Sequence, residues 1–314
     1  MEQTVCNLCG SSDYRPLFSG HDRALGGQEP FQDVRCQNCG LIYLNPRPTL
    51  DEMAQYYPPV YEPFVRYDHK LSWFSRLGYR VSMNKKFRIA AGGMKPSKLL
   101  DVGCGSGEFL QWMQQFGWVV NGLDLSPVAV NAARKYGLEI FEGQLKDAPY
   151  PPASFDVITM WDVLEHVHDP LANLKRVAEL LKCGGRFTVT LPNPDGLDFH
   201  LFGRFWTGLD MPRHLFVYSQ KPLTGLLEKA GLKVVSSRCI TGGQRVSTWS
   251  LEWLIDERVK SDSTRRLLKK IIYTQIWYWL WRPFYFLLDL VLQGSSITYI
   301  CKKVSYTDVR SPNT

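Results

Sequence analysis

The chain has 314 residues, 45% of them hydrophobic and 21% charged, which excludes a disordered or integral membrane protein and allows a sizeable core. Lysine and arginine number 37 against 30 acidic residues, a formal net charge of +7, too modest for this length to select nucleic acid or anionic lipid by itself. The length suits one large unit with a smaller one.

The N-terminal "MEQTVCNLCG" has no basic stretch leading into an apolar run, so neither a secretory signal nor a transit peptide is expected and the expected compartment is the cytoplasm. In that reducing setting, paired cysteines bind metal more often than they form disulfides. Cys6 and Cys9 in "CNLCG" and Cys36 and Cys39 in "CQNCG" are two such pairs. Four thiolates at this spacing predict one tetrahedral, structural Zn2+ in a zinc-ribbon-like domain over residues 1–50. The acids Glu2, Asp13, Asp22, Glu29 and Asp33 of this head offset Arg15, Arg23, Arg35 and Arg47. Cys104, Cys183, Cys239 and Cys301 are scattered and read as packing or loop residues.

Prolines in "NPRPTL" and "YYPPVYEP" cannot sit inside regular elements, so residues 51–96 are expected to form a linker with lid helices. Within it, 70–91 predicts a basic amphipathic helix ended by Gly92, Gly93 and Pro96. Then strands and helices alternate. "KLLDVG" is a short apolar strand, 108–116 a helix, "WVVNGLDLS" a strand, and 127–136 a helix with Ser126 as N-cap and Pro127 in its first turn. "LEIFEG" and "FDVITMW" are strands three and four. A helix over 170–181 is expected to stop at Gly184 and Gly185, "RFTVTLP" is the fifth strand, 222–230 a helix and "LKVVSSRCI" the sixth strand. After a helical insertion over 244–293, "SSITYICKK" supplies a seventh, and a terminal strand returning to such a sheet can enter antiparallel. The fold class is therefore α/β, a doubly wound, Rossmann-like seven-stranded sheet over 97–305 with the last strand antiparallel, followed by a tail over 306–314.

The chemistry concentrates in "LLDVGCGSGEFL". In an open α/β sheet the ligand sits outside the carboxyl ends of the strands, at the switch point. Gly103, Gly105 and Gly107 are spaced G-x-G-x-G, whereas the dinucleotide fingerprint is G-x-G-x-x-G. Asp101 precedes the turn, and Asp124 ends the second strand, where a carboxylate can accept both hydroxyls of a ribose. No Walker lysine follows. The turn suits a nucleoside whose far end carries a carboxylate and an amine, with the helix N-terminus at Gly107 favouring the negative group.

From Leu99 to Pro192 the chain resembles the class I S-adenosylmethionine-dependent methyltransferases, with "LLDVGCGSGEFL" similar to their first motif, "VNGLDLSP" to their second, "FDVITMWDVLEHVHDP" to the region after their fourth strand and "LKCGGRFTVTLP" to their fifth. The resemblance implies S-adenosylmethionine as cofactor. By position it implies that Asp101, Gly103, Cys104, Gly105 and Gly107 hold the methionine moiety and Asp124 and Leu125 the ribose. Gln144 and Leu145 would meet the adenine, in a loop where the family often carries an acid, and Trp161 and Asp162 would form the near wall.

A base is needed when the acceptor is a hydroxyl or a carbon acid. His166 in "LEHVHD" and His214 in "WTGLDMPRHLF" are the candidates, and the position of His214 after the fifth strand, where the family places acceptor contacts, favours it. Arg213 reads either as a site for an anionic acceptor or as a cap. The cysteine head, "NPRPT" and the tyrosines Tyr56, Tyr57 and Tyr61 are similar to those of sugar C-methyltransferases and of methyltransferase-like proteins from surface-polysaccharide gene sets. That likeness implies tyrosines overhanging the cofactor mouth and a small-molecule, sugar or lipid-linked acceptor.

The C-terminal third departs from the sugar C-methyltransferases. There the basic "RVKSDSTRRLLKK" precedes "IIYTQIWYWLWRPFYFLLDLVL", which Arg282, Pro283 and Asp289 interrupt. Two readings stand: peripheral membrane contact through 258–292 at the inner face of an anionic membrane, or a helical insertion packed internally or between copies. A quinone or lipid methyltransferase at the membrane surface belongs with the first. A zinc-headed RNA methyltransferase would need a basic head rich in exposed aromatics, and this head is near neutral, so nucleic acid is not the expected partner. A binding module without activity is opposed by the intact glycines and both acids.

Overall fold

The computed structural model describes residues 1–58, 73–240 and 243–304. Its strands are β1 (Tyr14–Gly20), β2 (Phe31–Cys36), β3 (Ile42–Leu44), β4 (Lys98–Val102), β5 (Val119–Asp124), β6 (Ile140–Glu142), β7 (Phe155–Trp161), β8 (Leu181–Pro192), β9 (Phe216–Val217), β10 (Leu232–Arg238) and β11 (Ser296–Lys303). Its helices are α1 (Leu50–Met53), α2 (Trp73–Ala91), α3 (Glu108–Gln114), α4 (Pro127–Arg134), α5 (Pro170–Leu180), α6 (Leu197–Phe202), α7 (Gln220–Lys229), α8 (Gly243–Arg258), α9 (Asp262–Ile272) and α10 (Gln275–Leu290). The chain divides into two compact units.

The first unit takes Met1–Tyr56, Leu191–Leu223 and Arg238–Thr298. Its described strands form a four-stranded sheet in the order β1-β2-β3-β9. The cysteine head is thus completed by a two-residue strand from far along the chain, Ile42 lying opposite Val217. Arg213 is wholly buried beside that strand, with Nη1 and Nη2 each donating to the Asp22 carboxylate at 2.9 Å and Nε and Nη2 donating to Asp210 at 2.9 and 2.6 Å. A buried guanidinium is tolerable only when so paired. With its donors committed in this way to Asp22 and Asp210, Arg213 is a structural residue, which corrects the anion-site reading, one of the two that the sequence left open. Tyr56 is also a packing residue here, donating to Glu29 at 2.7 Å against Phe31, whereas Tyr61 lies outside the described residues.

The second unit takes Tyr57–Thr190, Thr224–Ser237 and Tyr299–Thr314 and is built on the seven-stranded sheet, in the order β10-β11-β8-β7-β4-β5-β6. This is the doubly wound α/β sheet expected, mixed in direction at its β11 end. Strands β4, β5, β6, β7 and β8 run parallel, and their near-continuous apolar runs are buried, Leu99, Leu100, Val157, Ile158, Phe187 and Val189 being inaccessible. Because β5 and β6 extend the sheet on one side of β4 while β7 lies on the other, the strand order reverses at β4. Helix α4 opens as expected, Ser126 accepting from the Ala129 N–H behind Pro127.

Three expectations shift. Helix α5 ends at Leu180, and β8 starts immediately, absorbing Gly184 and Gly185, because Leu181 already pairs with Phe155 before the register slips to Val157 opposite Arg186. Helix α2 buries Met83, Ile89, Ala90 and Ala91, while Leu77 and Val81 are exposed, so among the described side chains its buried face lies in its second half. Residues 70–72 of the predicted helix lie outside the described residues. In the first unit, the apolar C-terminal run breaks at Tyr273 and Thr274, not at Pro283. Thr274 accepts from the Trp277 N–H and starts α10, and Pro283 sits inside that helix.

Candidate active site

The site lies at the carboxyl ends of β4, β5 and β7 in the second unit. Strand β4 ends at Val102, and the chain turns back against β5, the N–H groups of Gly103 and Cys104 both donating to the Leu123 carbonyl, at 2.8 and 3.0 Å. Gly103 has φ +69°, and a Cβ there would lie 2.5 Å from the Val163 side chain. Gly107 has φ +78°, and its Cβ would meet Leu138 at 2.4 Å. Only glycine satisfies both the left-handed backbone and the packing at these positions.

Asp124 clamps the turn from the end of β5. Its Oδ2 accepts from the Gly105 N–H at 2.8 Å and its Oδ1 from the Ser126 N–H at 2.9 Å. The two carboxylate oxygens offer about four acceptor sites, so these donors leave capacity for a ligand hydroxyl. Burial pushes the Asp124 carboxyl above its ordinary range, opposed by these backbone donors. Asp101 stands one strand away, buried, with Thr159 of β7 directly opposite donating to its Oδ1 at 2.6 Å. Burial pushes Asp101 up to about 7, while the Thr159 hydroxyl and the Lys86 ammonium pull the other way. Lys86, on α2, places its Nζ 4.8 Å from the Trp161 ring centroid and was not anticipated. Only its place in a basic helix hinted at it.

Trp161 closes β7, buried edge-on against Phe109, and its indole N–H has no hydrogen-bond partner among the described residues. A donor buried without a partner costs free energy unless something fills its place. Asp162 follows with φ +56°, its N–H donating to the Thr190 carbonyl at 3.1 Å. Gln144 is half-buried and Leu145 buried in the loop after β6, whose Gly143 N–H donates to the Asp124 carbonyl. Leu125 is exposed and Cys104 buried. Asp101, Gly103, Cys104, Gly105, Gly107, Asp124, Leu125, Gln144, Leu145, Trp161 and Asp162 therefore all lie on or just after the carboxyl ends of four parallel strands.

The two histidines are housed differently. His166 is half-buried in a short turn after β7, its Nδ1 2.9 Å from the Tyr57 hydroxyl. His214 belongs to the first unit, where its Nδ1 is 2.8 Å from the Gly208 carbonyl.

The four head cysteines converge in the first unit. The Cys6 and Cys39 sulfurs are 3.4 Å apart, those of Cys9 and Cys36 3.6 Å, and all four lie within 4.8 Å of one another. Four thiolates at about 2.3 Å from one ion stand about 3.8 Å apart, so the set fits a tetrahedral metal. Both knuckles have the same backbone: the Gly10 and Gly40 N–H groups donate to the carbonyls of Cys6 and Cys36, whose own N–H groups donate five residues on, to Ser11 and Leu41. Burial pushes Cys6 and Cys39 up. For Cys9, hydrogen bonds from the Ser11 backbone and the Asn38 side chain outweigh burial and bring the thiol to about 7, within reach of the thiolate a metal needs.

A family model described as "Methyltransferase domain" matches residues 74–237. Among curated proteins, the chain is similar to the ubiquinone biosynthesis O-methyltransferase of Xanthomonas euvesicatoria pv. vesicatoria (strain 85-10), 33% identical over 153 residues, 44% of this chain and 63% of that protein. The enzyme of the same name from Idiomarina loihiensis is 41% identical over 103 residues, 30% of this chain and 42% of that one. The chain thus spans about half the length of these curated relatives. Among solved structures, the [4+2]-cyclase SpnF shares the fold with a TM-score of 0.51 at 18% identity, covering 82% of this chain and 97% of that one.

Proposed function

The chain belongs to the methyltransferase-domain family, and on that premise we propose that it is an S-adenosylmethionine-dependent methyltransferase that methylates a hydroxyl oxygen of a small-molecule acceptor, with His166 as general base. The observation that carries the cofactor half is the Asp124 clamp, a carboxylate already fixed by two backbone N–H groups and keeping acceptor capacity for a ribose. Asp101, Gly103, Cys104, Gly105 and Gly107 hold the methionine end, Leu125 covers the ribose, Gln144 and Leu145 the adenine, and Trp161 and Asp162 the near wall. The Trp161 N–H, without a hydrogen-bond partner among the described residues, suits a polar atom of that ligand. S-adenosylmethionine bound there supplies an activated methyl group, and the chain's own residues contribute alignment and removal of the acceptor proton.

The choice of oxygen rests on the curated relatives, which are named O-methyltransferases, and on the Tyr57–His166 pair. When Nδ1–H of His166 donates to the Tyr57 oxygen, Nε2 is left as the proton acceptor. The sequence favoured His214. The preference for His166 comes from its place in the glycine-turn unit. Isotope-labelled donor offered with phenolic, sugar and lipid-linked hydroxyl acceptors tests the proposal. Label is expected in an acid-stable methyl ether, and label in a carbon- or nitrogen-bound methyl group would overturn the oxygen assignment. We propose further that Cys6, Cys9, Cys36 and Cys39 hold one structural Zn2+, a closed set with no position left for catalysis.

Two changes test the cofactor half. Asp124→Asn keeps the shape but removes the charge and one acceptor, and is expected to weaken binding of the donor roughly tenfold by calorimetry. Asp101 gives a pH signature. With its pKa raised to about 7, the ligand-free fold favours protonated Asp101. That contribution to stability is complete below the ordinary carboxylate range and is lost as pH rises through about 7. A cationic ligand favours the ionised form, so donor affinity is expected to rise with pH up to about 7 and then level off, binding below that value releasing a proton. Asp101→Asn should abolish both the proton release and the slope. A slope unchanged in that variant would assign the titration to another group.

A further inference from the structure

Helix α10 carries an apolar surface that the first unit leaves uncovered. It has no buried residue, and its most exposed large apolar side chains are Ile276 at 80% and Leu280 at 68%, followed by Val291, Leu290, Phe286 and Leu287 just past or within its last turns. At 100° per residue these positions fall within an arc of about 140°. No charged residue lies in that arc. Arg282 and Asp289 fall outside it, Arg282 donating to the Tyr278 hydroxyl at 2.6 Å and Asp289 turned towards Gly294. An uncharged surface this continuous is rare on a protein that stays in water.

Helix α9 supplies the complementary charge. Lys269 is held by Glu252 and Asp256, and Arg265 by Asp262. Arg266 and Lys270, one turn apart, are exposed and make no ion pair among the described residues, and they share that side of the helix with exposed Leu267 and Ile271. Two uncompensated cations on the helix that contacts the one bearing the apolar arc match an anionic, hydrocarbon-backed surface. In a symmetric pairing of two copies, each would bring the same patch and set bases against bases. Helix α10 is also short. Its 16 residues span about 24 Å, against about 30 Å of bilayer hydrocarbon, and no described helix is long and apolar enough to cross a membrane.

We propose that α9 and α10 form an in-plane anchor for an anionic bilayer, α10 sinking its Ile276–Leu280–Leu287 side into the acyl boundary while Arg266 and Lys270 meet lipid phosphates. This inference stands apart from the identity of the methyl acceptor. The full chain is floated with vesicles of phosphatidylcholine alone or of phosphatidylcholine with phosphatidylglycerol. It is expected to float with the anionic vesicles and to lose that binding as salt rises. A Leu280→Glu/Leu287→Glu double variant should not float, and an Arg266→Glu/Lys270→Glu variant should partition at least about tenfold less. Both changes fall on exposed side chains, so thermal melting and donor binding should match the parent and separate loss of the anchor from loss of the fold or the cofactor site. Absence of flotation by the parent chain would overturn the proposal. So would a dimer in sedimentation that Leu280→Glu/Leu287→Glu dissociates without any vesicle binding, which would assign the face to a second copy.

Discussion

Replacing His166 with glutamine is expected to lower kcat at least about a hundredfold on whichever hydroxyl acceptor turns over, since removing a positioned base typically costs that much. Donor binding should be unchanged, because the Asp124 clamp does not involve His166. Tyr57→Phe removes the group 2.9 Å from Nδ1 and leaves the imidazole in place. As a positioning change it should cost less and shift the pH–rate profile, because the tautomer protonated at Nδ1 loses its acceptor. His214→Gln is the control. Full turnover in His166→Gln together with collapse in His214→Gln would move the base to His214 and restore the preference read from the sequence.

Stripping metal from the cysteine head is expected to unfold the strands that carry it. Structural zinc in small thiolate sites supplies about 10 kcal/mol or more of folding free energy, and β1 offers little to replace it, its first three residues being exposed and the other four no more than half-buried. Elemental analysis should find one zinc per chain, and Cys36→Ser should lose it. Amide exchange over 1–50 should then rise towards that of an unfolded chain. Protein without zinc, or a Cys36→Ser chain with unchanged exchange, would show that the cluster is not a folding metal site.

The parts of this molecule legible in its sequence are those set by short-range spacing. The glycine turn, the acids on either side of it, the Ser126 cap and the two Cys-x2-Cys knuckles each declare themselves within a dozen residues; the structure puts the first three where a doubly wound sheet requires and brings the knuckles together in the first unit. What escaped was decided by distant partners. Gly184 and Gly185 read as a helix stop, yet pairing of β8 with β7 draws them into a strand with a register slip. The role of Arg213 depends on Asp22, 191 residues away, and β3 gains a neighbour in a two-residue strand with no local signature. Pro283 read as a break but lies inside α10, on its exposed side, where the carbonyl it leaves unbonded can turn to solvent. Lys86 enters through the packing of α2 and not through any motif.

Calorimetric titration of the purified chain with S-adenosylmethionine tests the central claim most directly. One molecule is expected to bind per chain, to be displaced by the demethylated product and to bind more weakly to Asp124→Asn. A chain that gives no heat with that ligand, or that binds a nicotinamide dinucleotide in its place, would contradict the assignment of the glycine turn and its two aspartates.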